Sequence, residues 1–146
     1  MAIDHGEKRL GVAVSDPLGI VASPRAIINR GSKSRDFEQL LEIIASDNVQ
    51  LIVVGLPTDS NGEIGMQAGS VLRWASALAS ATDLPIRLWD ESYSSADAAH
   101  SRHLQGKRGK VPMDDVAAAF ILQSYLEARG SGHEPGYPLE ALKEER

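Results

Sequence analysis

The sequence predicts an α/β fold, a mixed five-stranded sheet flanked by helices, on three observations. The first 28 residues read as a strand meander, LIVVGLP from Leu51 reads as a fully buried strand, and helical and strand periodicities alternate after it. MAID is a short apolar run ending at an acid, and RLGVAVSD alternates Leu10, Val12 and Val14 against Gly11 and Ala13, the two-residue period of a strand. A tight turn at Gly6 to Lys8 joins them. The turn signal Asp16-Pro17-Leu18-Gly19 leads into a third strand, Ile20 to Ile28, which Pro24 marks as an edge strand or as interrupted there.

Ser34 can cap a first helix whose apolar residues Phe37, Leu40, Leu41, Ile44 and Ala45 share a face. LIVVGLP, bounded by Gly55 and Pro57, belongs at the centre of the sheet, where both faces of a strand are covered. After a polar loop from Thr58 to Gly62, the stripe Ile64, Ala68, Val71, Ala75, Leu78 predicts a second helix, and Pro85 to Trp89 the fifth strand, ending in Asp90-Glu91. A helix over Ser94 to Leu104 follows, then a basic loop, Gln105 to Lys110. The last helix starts after Pro112 and runs to about Arg129; Val116 to Leu122 is apolar all round, so it packs on the sheet. Residues 1–129 thus form the domain, and 130–146, rich in Gly, Pro and charge, a loosely attached tail.

At 146 residues the chain suits one domain that buries about 70% of its unfolded surface. It has no cysteine, which excludes disulfides and thiolate metal sites, so any metal must sit on oxygen or imidazole. No signal-peptide pattern and no apolar run of membrane-spanning length occur, and a cytoplasmic, membrane-free location is expected. The net charge of −5 counts against a nucleic-acid binder, but Arg102, His103, Lys107, Arg108 and Lys110 concentrate positive charge locally. That stretch is either a solvated loop or a phosphate grip formed by Lys107, Arg108 and Lys110.

Three acids stand where this topology could bring them together: Asp4 ending the first strand, Glu91 after the fifth, and Asp114 opening the last helix. Each alone is an ordinary strand-end or first-turn acid. Converging, they would repel unless a cation neutralised them, and hard oxygen donors select Mg²⁺ or Mn²⁺. Two such ions about 4 Å apart can activate water and stabilise the leaving oxygen of a phosphodiester. Periodicity leaves Asp114 open against Asp115 and Glu91 against Asp90. Gly6 lets backbone approach phosphate, although the D-x-G pattern is shared with sugar-kinase and actin-like proteins. His5, His100, His103 and His133 lack metal-ligand spacing and read as structural or solvated. No G-x-S-x-G, Walker-type or G-x-G-x-x-G pattern is present.

The blocks AIDHGEKRLGVAVSDPLGIVASP, IVVGLPTDSNGEIGMQA, DES and MDDVAAAFILQSYLE, in that order from Ala2 to about Glu127, resemble the YqgF-type (RuvX) pre-16S rRNA nucleases, relatives of the RuvC Holliday-junction resolvases. The resemblance implies an RNase H-like fold, a divalent-metal site and processing of the 5′ end of pre-16S ribosomal RNA. It places the family's acids on Asp4, Glu91 and Asp114 as catalytic and metal-binding residues, counting back from ILQ choosing Asp114. Two departures stand out. Ser92 occupies a position where a basic residue is expected, which removes a possible phosphate contact, and the chain begins close to Asp4, as a trimmed or misassigned start would. The partner expected is nucleic acid, with the protein a monomer or homodimer. The rival readings are a resolvase on branched DNA and a non-catalytic nucleic-acid or ribosome-associated module; a sugar-kinase-like protein would need a second domain.

Overall fold

The computed structural model describes residues 1–57, 66–90, 114–130 and 135–139, with the side chains of 66, 114 and 115 excepted. The elements are β1 (Ala2–His5), β2 (Arg9–Ser15), β3 (Ala22–Asn29), α1 (Lys33–Ser46), β4 (Ile52–Leu56), α2 (Met66–Ala79), β5 (Ile86–Asp90), α3 (Asp114–Arg129) and β6 (Tyr137–Pro138). The strands form one sheet in the order β3-β2-β1-β4-β5-β6. β2 is antiparallel to both β1 and β3, β4 is parallel to β1 and β5, and β6 is antiparallel to β5. β1, β4 and β5 therefore end at the same edge.

The meander closes where the sequence expects. Gly6 N–H donates to Arg9 O at 3.0 Å, and a Cβ on Gly6 would lie 2.7 Å from that oxygen, so only glycine makes this turn without displacing backbone. β3 is the edge strand that Pro24 predicted, and the β2–β3 register shifts between Val12 and Ala13, next to the Ala13–Pro24 pair. All five residues of β4 are buried, as expected of a central strand.

α1 starts two residues before the expected position. Ser32, not Ser34, is the cap: its Oγ accepts from Arg35 N–H at 3.2 Å, and the buried Asp36 carboxylate turns back to accept from Gly31 N–H at 3.0 Å. The helix ends at Ser46 with Asp47 as its C-cap, and Asn48, at φ 54°, lets Val49 N–H donate back to Ile44 O at 3.0 Å. Its buried stripe is Phe37, Leu40 and Ile43, while the expected Ala45 faces water.

The helices divide the sheet into two faces. On one, Ile3, Leu10, Val12, Ile28, Ile52, Val54 and Leu88 pack against α1 and α2. On the other, Ala2, Ala13 and Val53 meet Ala118, Ile121, Leu122 and Tyr125 of α3. The Gln123 amide fastens α3 to the meander, accepting from Ala22 N–H at 2.9 Å and donating to Ile20 O at 3.1 Å. Trp89 fastens it to β5, donating from Nε1 to Ser124 Oγ at 2.7 Å and meeting Tyr125 edge-on at 5.9 Å.

The C-terminal segment departs from the loose tail that its composition predicts. Residues 135–139 return to the sheet, β6 pairs with β5 as a sixth strand, and Leu139 is fully buried. Arg87 is the reason: its guanidinium donates to Pro135 O at 2.9 Å and Gly136 O at 3.0 Å. Gly136, at φ 77°, lies so close to Leu88 O that a Cβ would collide with it. The helix expected at 94–104, the loop at 105–110 and residues 140–146 lie outside the described residues.

Candidate active site

Strand alternation decides which side chains meet at the common edge of β1, β4 and β5. Ala2 belongs to the α3 face and Ile3 to the α1/α2 face, so Asp4 returns to α3 and His5 to α2. His5 packs against Trp74 of α2, with ring centroids 4.9 Å apart and planes inclined at 56°, which confirms its side. Asp4 is half-buried and pairs across the hairpin with Gly11; carrying the β1–β4 register one residue further sets it beside Gly55. Both residues set beside it in this way, Gly11 and Gly55, are glycines.

The same alternation separates the acids of β5. Leu88 packs on the α1/α2 face and Trp89 against α3, so Asp90 belongs to the face opposite Asp4. Asp114 opens α3, the helix that covers the Asp4 face. Glu91 and the three loop cations Lys107, Arg108 and Lys110 lie outside the described residues, and of Asp114 only the backbone is described. Among the described residues no group of three His, Cys, Asp or Glu side chains could hold a metal. Asp4 is the one predicted ligand whose side chain is in view.

The donor chemistry around Asp4 suits a hard cation. His5 is excluded from its face by the strand period. Burial first, and the Arg30 charge second, lower the His5 pKa from 6.5 to about 4, so the imidazole is neutral at neutral pH. His5 Nε2 and Trp74 Nε1 are both buried with no hydrogen-bond partner among the described residues, and the two rings pack on each other. The described acid on the α3 face is Asp4, whose carboxylate oxygen is the kind of donor that Mg²⁺ and Mn²⁺ prefer.

Sequence reasoning missed three residues that shape this edge. Arg30 donates from Nη1 to Gly6 O at 2.8 Å and to Glu7 O at 3.2 Å, bracing the turn that follows Asp4. Gln123 and Arg87 anchor α3 and β6. A polar residue in a mostly apolar helix was the available signal for Gln123; nothing local marked the two arginines.

A meander joined to a parallel pair, with an acid at the carboxyl end of the first strand and the last helix over it, is the RNase H-like arrangement of nucleases. Solved structures of Thermus thermophilus RuvC share it. One, in complex with a Holliday junction substrate, superposes with a TM-score of 0.60 at 16% identity, covering 93% of this chain and 96% of that one. A second gives a TM-score of 0.59 with the same coverage. The chain belongs to the RuvX family, described as Holliday junction resolvase, which it matches over residues 1–128. It is 41% identical over 133 residues to a "Putative pre-16S rRNA nuclease" of Desulforamulus reducens, covering 88% of this chain and 96% of that protein. A protein of the same name from Chloroflexus aurantiacus is 40% identical over 134 residues, covering 90% and 88%. Among the described residues no helix is long and apolar enough to cross a membrane.

Proposed function

We propose that this nuclease cuts precursor 16S ribosomal RNA near its 5′ end, in the cytoplasm, with Asp4, Glu91 and Asp114 holding Mg²⁺ or Mn²⁺. The observation that carries this reading is the position of Asp4, at the carboxyl end of β1 on the α3 face. The strand period supports Glu91 over Asp90, because Trp89 shares Asp4's face and the next residue to return to it would be Glu91. Asp114 is supported by its place at the start of the helix that covers that face. Bound divalent ions supply charge neutralisation and activation of the attacking water. In this reading the three carboxylates fix those ions through oxygen donors. Lys107, Arg108 and Lys110 bind substrate phosphates in this reading.

The family description and the RuvC complex favour a second reading, resolution of branched DNA. Incubating the purified protein with Mg²⁺, with Mn²⁺ and with chelator, on a precursor 16S RNA and on a four-way DNA junction, separates the two. Metal-dependent cleavage of the RNA is expected. Cleavage of the junction alone transfers the assignment to a resolvase, and no metal-dependent cleavage of either leaves a binding module.

A further inference from the structure

The net charge of −5 conceals a local excess of cations beside the Asp4 edge. The hairpin register pairs His5 with Leu10, and β3 ends against the start of β2 through the Arg9–Asn29 pair. Arg30 N–H then donates to Lys8 O at 2.9 Å, so the β1–β2 turn and the segment entering α1 are bound together at the carboxyl end of β1. Lys8, Lys33 and Arg35 are all exposed there, and none of them makes an ion pair with a described residue.

The acid that could neutralise them has been turned away. Asp36 is the acidic residue of the first turn of α1, yet it is 2% exposed and its carboxylate is engaged with Gly31 N–H. From Arg30 to Arg35 the surface therefore shows cations only; Glu7 and Glu38, at either end, are the exposed acids. The Arg30 guanidinium, spent on the carbonyls of Gly6 and Glu7, holds the turn rather than a ligand.

A row of exposed cations with no ion-pair partner among the described residues, beginning next to a carboxylate site, has the charge to bind a polyanion that reaches that site. We propose that Lys8, Lys33 and Arg35 form a phosphate track that carries the nucleic-acid backbone from the Asp4 edge over the β1–β2 turn to the start of α1. The track rests on the nuclease reading and adds to it cations other than Lys107, Arg108 and Lys110. It recognises phosphodiester charge, which RNA and DNA share, and so sets the path of the strand and not its sequence.

The test is equilibrium binding in chelator, where no cleavage intervenes, of a single-stranded RNA and of a four-way DNA junction across a salt series. The triple substitution Lys8→Ala, Lys33→Ala, Arg35→Ala is compared with the parent, with the charge-keeping Lys8→Arg, Lys33→Arg pair, and with Arg73→Ala on the exposed side of α2. Each phosphate contact contributes about 0.7 to the slope of log affinity against log salt on a single strand, so losing three lowers the slope by about 2. RNA affinity is expected to fall on the order of tenfold or more at moderate salt, with little change in the other two variants. Loss confined to the junction upholds the track and assigns it to DNA. An unchanged slope in the triple variant of a parent that binds and cleaves overturns the track alone, whereas a parent that binds neither probe overturns the track and the nuclease reading together.

Discussion

The two faces of the sheet are built to different rules. Against α1 and α2 the strands present long aliphatic side chains, Ile3, Leu10, Val12, Ile28, Ile52, Val54 and Leu88, with Phe37 edge-on to Trp74 at 5.6 Å behind them. Against α3 they present Ala2, Ala13 and Val53, with Gly11 and Gly55 beside Asp4. Large residues on the first face bury most of the apolar area, and burial scales with stability. Small ones on the second let a helix lie close and leave room at its end for a charged group. The fold thus places the bulk of its stability on one side of the sheet and its carboxylate at the edge of the other, so the two properties should be separable by mutation.

The widest separation is expected from Asp4→Asn, which keeps size and hydrogen bonding while removing one charge from the site. Loss of an ion ligand removes several kcal/mol of transition-state stabilisation, so metal-dependent cleavage should fall on the order of a hundredfold or more. Nucleic-acid binding in chelator should be kept or rise, because a charge facing phosphate is gone, while Asn keeps the size of the side chain. Equal cleavage by parent and variant under the same metal and salt would remove Asp4 from the site. Leu10→Ala should do the reverse. Leu10 is fully buried on the aliphatic face, and such truncations cost about 2–5 kcal/mol. Chemical denaturation should show that loss, with cleavage per folded molecule unchanged; a large fall in the cleavage of folded protein would show that the two faces are not independent.

A smaller effect is expected where β6 closes the sheet. Gly136→Ala places a methyl group against Leu88 O in a backbone conformation that costs alanine roughly 1 kcal/mol even in open space. The chain can relieve the contact only by lifting residues 135–139, which would uncover Leu139. Amide exchange should then quicken at Leu88 and Leu139 and stay slow in β4. Protection unchanged at Leu139 would mean that the Arg87 bonds and the Leu139 contact hold the segment without the close approach at residue 136.

How much of this was legible in the sequence varied with the range of the interactions. β2, β4 and α2 are set by periodicity and by buried apolar runs, and the residues at Leu10, Val53 and Ala75 carry that signal locally. α1 was displaced by two residues because Ser32 and Ser34 are equally good caps in isolation; the carboxylate of Asp36, folding back on Gly31, selects the first. β6 was unreadable for a different reason. Two residues have no period, Pro135 and Gly136 look like loop, and the attachment depends on Arg87, 48 positions away from Pro135. The place of Asp4 at the end of β1 was readable because a strand-end acid beside a required glycine turn is a local pattern. Its separation from Asp90 was not, since a five-residue strand with Ile86, Leu88 and Trp89 tells nothing of which face α3 covers until the helix is in place.

The smallest expected effect also contrasts neighbours on opposite faces, Asp4 and His5, and it is a pH dependence. In the unfolded chain His5 takes up a proton near pH 6.5, whereas in the fold burial and the Arg30 charge delay this to about pH 4. Between those values the unfolded state binds more protons, so His5 favours unfolding increasingly as pH falls through that window and costs nothing above it. Carboxylates begin to titrate at the lower end, so the contribution must be read as a difference. His5→Phe keeps an aromatic ring against Trp74, where the present centroid distance is 4.9 Å, and removes the titrating group. Urea midpoints measured at pH 7 and pH 5 should show the parent losing more stability on acidification than the variant. Asp4→Asn, tested in the same pair of conditions without metal, should not reproduce that difference, because its carboxylate lies across the sheet from the imidazole. Equal losses in parent and His5→Phe would show that the imidazole is solvated well enough in the fold to titrate as it does in the open chain.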